Sequence, residues 1–392
     1  MMNWLTTDTS NIRPRSKRHI PNVVALLGAL FVPIASSALE ASAKQAVLLD
    51  FDTGVELYSK NADDLMPPAS MTKMMTVYLL FERLKEGRLA LDDELLVSRK
   101  AWRKGGSKMF VEAGKRVRVE DLIRGIVVQS GNDATIVVAE GLAGSEEAFA
   151  REMTVKARDL GMSNTTFRNA SGWPDPEHRT SARDLAILAE ATIRNFPEMY
   201  RYYAEQEFTF SQISQRNRNP LLSRFQGADG LKTGHTEAAG YGLTASATKK
   251  GRRLILVMNG LPSERARRVE SQRILDWGFR EFGNYKLFET NEEIASAGVW
   301  LGETSHVRLL AKQGILMTLE RKYRKSLKVK IRHEAPVPAP IKKGAQLGEI
   351  IVEVADRSPI KIPLIAGESV ERLRPSGRLS AALSYLLWGA SK

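Results

Sequence analysis

The chain has no cysteine, which excludes a disulfide framework, a thiol nucleophile and a thiolate metal site. Histidine is scarce too, with five scattered residues, so spacing assembles no metal constellation and no cofactor is called for. His178 and His333 read as surface residues. Long apolar runs are missing: Val23 to Ala35 is too short for a comfortable membrane span and is soon followed by Leu39-Glu40. The formal charge of +13 comes without zinc-finger spacing or basic-aromatic stacking motifs, so nucleic acid is not an expected partner. A surface facing anionic lipid or cell wall accounts for the sign more simply.

What is present begins with an address. Arg13, Arg15, Lys17 and Arg18 precede the apolar run, and small residues around Ser36-Ser37-Ala38 follow it. That order is that of a secretory signal peptide over residues 1–43, with cleavage after Ala38 or after Ala43, and an uncleaved anchor as the competing reading. Export without disulfides suits a bacterial envelope protein of good size.

Beyond the leader, Gln45 to Asp50 and Val55 to Lys60 flank Asp52-Thr53-Gly54 as a β-hairpin. Pro67-Pro68 opens a buried helix from Ser70 to Lys85 that Gly87 stops. Further helices are expected over 120–128, 133–142, 145–160, 181–194 and 265–279, with strands over 241–248 and 253–258. Strands at both ends with helices between imply a mixed α/β fold, an antiparallel sheet covered by helices in which the two ends meet. Residues 44–284 form this unit. Over 285–374, Leu327, Val329 and Ile331 alternate with basic residues and prolines punctuate the chain, which argues a smaller all-β domain. In 375–392, Leu379, Ala382, Leu383, Leu386 and Leu387 share one helical face. The helix is too short to span a bilayer but suited to lie at the interface, with Arg372, Arg374 and Arg378 near anionic headgroups.

Three short segments carry chemistry. In Ser70-Met71-Thr72-Lys73 a helix start puts the hydroxyl and amine one turn apart, a nucleophile beside its base. Alone the pattern is cheap, since Ser246 to Lys249 and Ser358 to Lys361 repeat it. Ser130-Gly131-Asn132 sits at a helix-to-helix turn, and Lys232-Thr233-Gly234-His235 leads into a strand.

In this order the three elements resemble the penicillin-recognising serine enzymes. The likeness sharpens to the low-molecular-mass penicillin-binding proteins of the D-alanyl-D-alanine carboxypeptidase type. It runs from about Val47 to the C-terminus and includes Leu122-Ile123-Arg124-Gly125, Asn217-Arg218-Asn219, Glu270-Ser271 and Trp277-Gly278-Phe279. The resemblance implies that Ser70 attacks the penultimate D-alanine carbonyl of peptidoglycan stem peptides and is acylated by β-lactams. Lys73 is then the base, and burial beside a second cation, Lys232, favours its neutral form. Ser130 relays the proton to the leaving amine and Asn132 holds the substrate amide. Lys232, Thr233 and Arg218 recognise the terminal carboxylate, with Arg267 a weaker candidate nearby, Gly234 and His235 belong to the same substrate-binding strand, and backbone N–H groups of Ser70 and His235 form an oxyanion hole. It also implies a periplasmic protein held peripherally on the outer face of the cytoplasmic membrane by its terminal helix. Two rivals stand beside this reading: a β-lactamase with Glu177 as deacylating base, and a non-catalytic wall-binding scaffold.

Overall fold

The computed structural model describes residues 39–375 and 377. Most of the expected leader and of the expected terminal helix lies outside them. Among the described residues no helix is long and apolar enough to cross a membrane.

The chain opens with strands β1 (Gln45–Asp50) and β2 (Glu56–Lys60), then a 3-10 turn at Ala69–Thr72 that runs directly into α1 (Lys73–Lys85). A short pair, β3 (Glu94–Leu96) and β4 (Arg116–Arg118), brackets α2 (Arg99–Arg103). There follow α3 (Val119–Val127), α4 (Asn132–Ala143), α5 (Glu146–Asp159) and α6 (Ala182–Asn195). A hairpin of β5 (Glu207–Phe210) and β6 (Ile213–Arg216) precedes β7 (Ala228–Thr236), β8 (Gly240–Lys249), β9 (Arg252–Leu261) and α7 (Glu264–Glu281).

Five strands join in the order β2-β1-β9-β8-β7, all pairs antiparallel. The first and last strands of the unit therefore meet, as the sequence implied. Alternate residues of the central strands face opposite layers. Val47, Leu49, Ile255 and Val257 join the core formed by α1 and α3 to α6. Leu48 and Leu254 face α7, where Gly278 lets the helix in: a Cβ there would lie 2.6 Å from Leu48 and 2.9 Å from Leu254. Burial on both faces explains why these strands read as unbroken apolar runs. Helix starts follow local chemistry: Ser145, Ser181 and Ser263 each accept a backbone N–H three residues on.

The remaining chain is β-rich: β10 (Phe282–Phe288), β11 (Glu293–Trp300), β12 (His306–Ala311), β13 (Ile315–Glu320), β14 (Lys328–His333), β15 (Val337–Pro338), β16 (Gln346–Glu353) and β17 (Ile360–Ala366). Six strands order as β14-β16-β17-β12-β11-β15, while β10 pairs with β13. A second apolar core gathers Val307, Leu309, Ile350, Val352 and Leu364. The alternation around Ile331 does not mark a buried face, because β14 is the sheet's edge and Val329 and Ile331 remain 38% and 42% exposed. At the junction with the five-stranded sheet, Asp50 accepts from Arg252 Nε at 2.6 Å and Asn284 Nδ2 at 3.1 Å, and Thr318 donates to Asn284 at 2.8 Å.

Candidate active site

Ser70 lies in the 3-10 turn, one residue after Ala69, which holds a left-handed φ of 47°. A side chain rarely adopts that conformation unless its surroundings impose it. Strand β7 does so from one side: a Cβ on Gly234 would lie 2.9 Å from the Pro68 carbonyl. From the other side Gly172 presses so closely that a Cβ would overlap the Ala69 carbonyl at 1.8 Å. Glycine is thus required at both positions to clamp the turn.

Lys73, the first residue of α1, is fully buried. Its Nζ lies 2.8 Å from Ser70 Oγ, 2.8 Å from Asn132 Oδ1 and 2.7 Å from the Ser171 carbonyl. Asn132 Nδ2 donates to the Gly105 carbonyl at 2.8 Å, which fixes the amide with its oxygen toward Lys73. Two of the three partners are therefore acceptors only. A neutral amine has two N–H donors and one lone pair, so it satisfies both carbonyls and turns its lone pair to the Ser70 hydroxyl. Burial is the main force lowering the Lys73 pKa well below 10.5, followed by the charges of Lys232 and Arg218.

A second amine–hydroxyl pair faces the first. Ser130, between α3 and α4 with φ of 60°, accepts from Lys232 Nζ of β7 at 2.9 Å. Desolvation, with Arg218 and Arg267 adding repulsion, lowers Lys232 to about 7. Asp133 organises the turn, a role the sequence reading missed. Its carboxylate accepts backbone N–H groups of Met109 at 2.8 Å and Phe110 at 2.9 Å, fastening residues 105–110 over the cleft. Asn132 N adds a bond to the Ser107 carbonyl at 2.8 Å.

Beside Ser70 the cleft opens to about 230 Å³, lined by Ser107, Ser130, Arg218, Thr233, Gly234, His235, Tyr241, Glu264 and Arg267. Arg218 reaches in from the rim and donates to Ser107 Oγ at 2.5 Å. Two guanidinium groups, Arg218 and Arg267, thus border one small polar space, with Lys232 bonded to Ser130 in its wall, and the carboxylate among its lining residues, Glu264, is 76% exposed. Such a space attracts an anion. All ten site residues expected from sequence border this cleft or bond directly to groups that do.

One reading is corrected. His178 is not a surface residue: it is 2% exposed, and its Nε2 lies 2.9 Å from Thr72 Oγ1, between Ser70 and Lys73 in sequence. The Arg168 backbone N–H donates to its Nδ1 at 3.2 Å, so the proton belongs on Nε2, and burial lowers its pKa to about 4. Glu177, the carboxylate weighed as a deacylating base, is 72% exposed and pairs with Arg168 at 2.9 Å.

Comparison with known proteins gives the family. A family model described as D-alanyl-D-alanine carboxypeptidase matches residues 33–262, and one described as the C-terminal domain of penicillin-binding protein 5 matches residues 282–372. The chain is 40% identical over 356 residues to D-alanyl-D-alanine carboxypeptidase DacC of Escherichia coli, covering 87% of this chain and 89% of that protein. Penicillin binding protein 5 from Haemophilus influenzae superposes with a TM-score of 0.78 at 36% identity, over 86% of this chain and 99% of that one. Penicillin-Binding Protein D2 from Listeria monocytogenes in its ampicillin-bound form gives 0.57 at 30% identity, over 62% and 99%. With Ser70, Lys73, Ser130, Asn132 and Lys232 in one cleft and both parts of the chain matched, this protein belongs to the serine D-alanyl-D-alanine carboxypeptidase family.

Proposed function

We propose that the protein removes the terminal D-alanine from peptidoglycan stem peptides through a Ser70 acyl-enzyme, and that β-lactams acylate the same hydroxyl. The observation that carries this reading is the Lys73 amine, buried, 2.8 Å from Ser70 Oγ and with its two other contacts on carbonyl oxygens. The lone pair takes the Ser70 proton as Oγ bonds to the penultimate D-alanine carbonyl carbon. The oxyanion forms against the Ser70 and His235 backbone N–H groups. Ser130, in contact with Lys232, delivers a proton to the departing amine as the peptide bond breaks. Water then adds to the acyl carbon, Ser70 leaves with a proton, and the shortened peptide is released. Arg218, Thr233, Lys232 and Arg267 hold the carboxylate of the leaving D-alanine, while Asn132 steadies the acyl-side amide.

The leader-like 1–43, the catalytic unit over 44–284, the β domain over 285–374 and the amphipathic 375–392 complete the proposal. The protein is exported and held peripherally on the outer face of the cytoplasmic membrane by its last residues. Truncation after Pro375 is expected to release it from membranes with D-alanine release intact; unchanged sedimentation with membranes would refute the anchor.

Incubation with a penicillin, intact mass measurement and peptide mapping test the chemistry. A long-lived penicilloyl adduct on Ser70, together with D-alanine release from a D-Ala-D-Ala peptide, is expected. Fast drug turnover without D-alanine release would favour the β-lactamase reading, and neither activity would favour a scaffold.

A further inference from the structure

Tyr241 connects two elements that reach the cleft separately. It is the cross-strand partner of His235, the residue after Gly234 on β7. Its ring lies 3.9 Å from the imidazole of His235, at an interplanar angle of 30°. The Arg267 guanidinium, carried by α7, lies 5.6 Å from the centroid of the same ring. All three side chains line the polar space beside Ser70.

What holds Arg267 matters because a guanidinium tightly paired to a carboxylate has little charge left for a ligand. Arg267 is 6% exposed, yet the carboxylate it approaches, Glu264, stands 3.8 Å away and is largely in solvent. Its Nε is buried with no hydrogen-bond partner. An aromatic face can fix the direction of a guanidinium through its quadrupole without neutralising it. The geometry therefore points to Tyr241 as a positioning residue. Its ring holds Arg267, and with it the His235 side of the pocket, in the arrangement that selects substrates ending in a free carboxylate.

This inference rests on the proposed carboxypeptidase reading and concerns selectivity, not the nucleophile. The ring, not the hydroxyl, is the part used, so Tyr241→Phe should behave as the native enzyme. Tyr241→Leu and the more flexible Tyr241→Met remove the aromatic face at similar bulk.

The test compares hydrolysis of an acyl-D-Ala-D-Ala peptide with that of the same peptide capped as a terminal amide, in all four proteins. For Tyr241→Leu or Tyr241→Met, kcat/KM for the free carboxylate should fall about tenfold, chiefly through KM, while the amide's already low kcat/KM stays within about twofold. Tyr241→Phe should retain the native preference. Were the ring only a structural support, both substrates would fall together, which overturns the inference. Native selectivity in both folded ring-less variants would overturn it too. If the native protein releases no D-alanine from the free-acid peptide, it is the proposed reading that fails, and this inference with it; if it does while the ring-less variants keep the preference, this inference alone fails.

Discussion

Where the sheet meets the C-terminal β strands, the buried Arg252 guanidinium is paired with Asp50 at 2.6 Å and donates also to the Gly278 and Phe282 carbonyls. In the cleft, Lys73 and Lys232 are just as buried, but they touch hydroxyl, amide and carbonyl oxygens. The nearest carboxylate in that turn, Asp133, directs its oxygens to backbone N–H groups instead. The Arg252 guanidinium, given its counter-ion, organises structure. A buried lysine denied a counter-ion is biased toward losing its proton, and beside Lys73 a serine hydroxyl waits. The same cost of desolvation thus serves architecture at one site and chemistry at the other.

That contrast can be broken by substitutions of opposite sign. The largest effect belongs to Ser70→Ala, which should lower D-alanine release by about 10⁴-fold or more, measured by steady-state kinetics, and abolish the penicilloyl adduct. Lys73→Met should lower acylation by roughly 10²- to 10⁴-fold in stopped-flow measurements. It removes a buried amine that has no counter-ion but also the donor to the Asn132 and Ser171 oxygens, so thermal stability should change by much less than in the Asp50→Asn protein. Asp50→Asn should do the reverse. Stranding the Arg252 charge costs about 3–5 kcal/mol in denaturant unfolding, while the folded fraction acylates at the native rate. A destabilised Lys73→Met protein with a stable Asp50→Asn protein would invert the comparison.

The cleft's support carries its own pH signature. His178 has a pKa of about 4 when folded against an ordinary 6.5. As pH falls between these values the unfolded chain gains a proton that the folded one refuses. Stability from the neutral ring is therefore complete above about 6.5 and lost toward pH 4, by up to about 3 kcal/mol. Denaturant midpoints at pH 7 and 4.5 should show the loss, and His178→Gln should reduce it. At the small end, Ile331→Thr on the exposed edge strand should change stability by less than about 0.5 kcal/mol.

Legibility followed distance along the chain. Ser70 and Lys73 could be paired from sequence because three residues of helix-like backbone bring them together whatever surrounds them. Ser130 and Lys232 lie 102 residues apart, and only the likeness to a known order of motifs, not periodicity, brought them to one place. His178 was misread because a loop has no periodic pattern to reveal burial, and its partner Thr72 is 106 residues away. Asp133 went unread for a related reason: next to Asn132 it looks like an ordinary helix-start acid, and its actual ligands are N–H groups from a preceding loop. The strands of the catalytic sheet were legible as apolar runs because both faces are covered. Strand β14 has the right alternation but stands at an edge, where pattern alone cannot say what covers it.

The central claim is that Lys73 is neutral when Ser70 reacts. Titration of the lysine side chains by NMR, with the Lys73 signal assigned by its loss in Lys73→Met, measures this directly. The Lys73 midpoint should lie well below 10.5 and rise toward the ordinary value when Lys232→Met removes the neighbouring charge. A Lys73 signal that titrates near 10.5 in the native protein would contradict it.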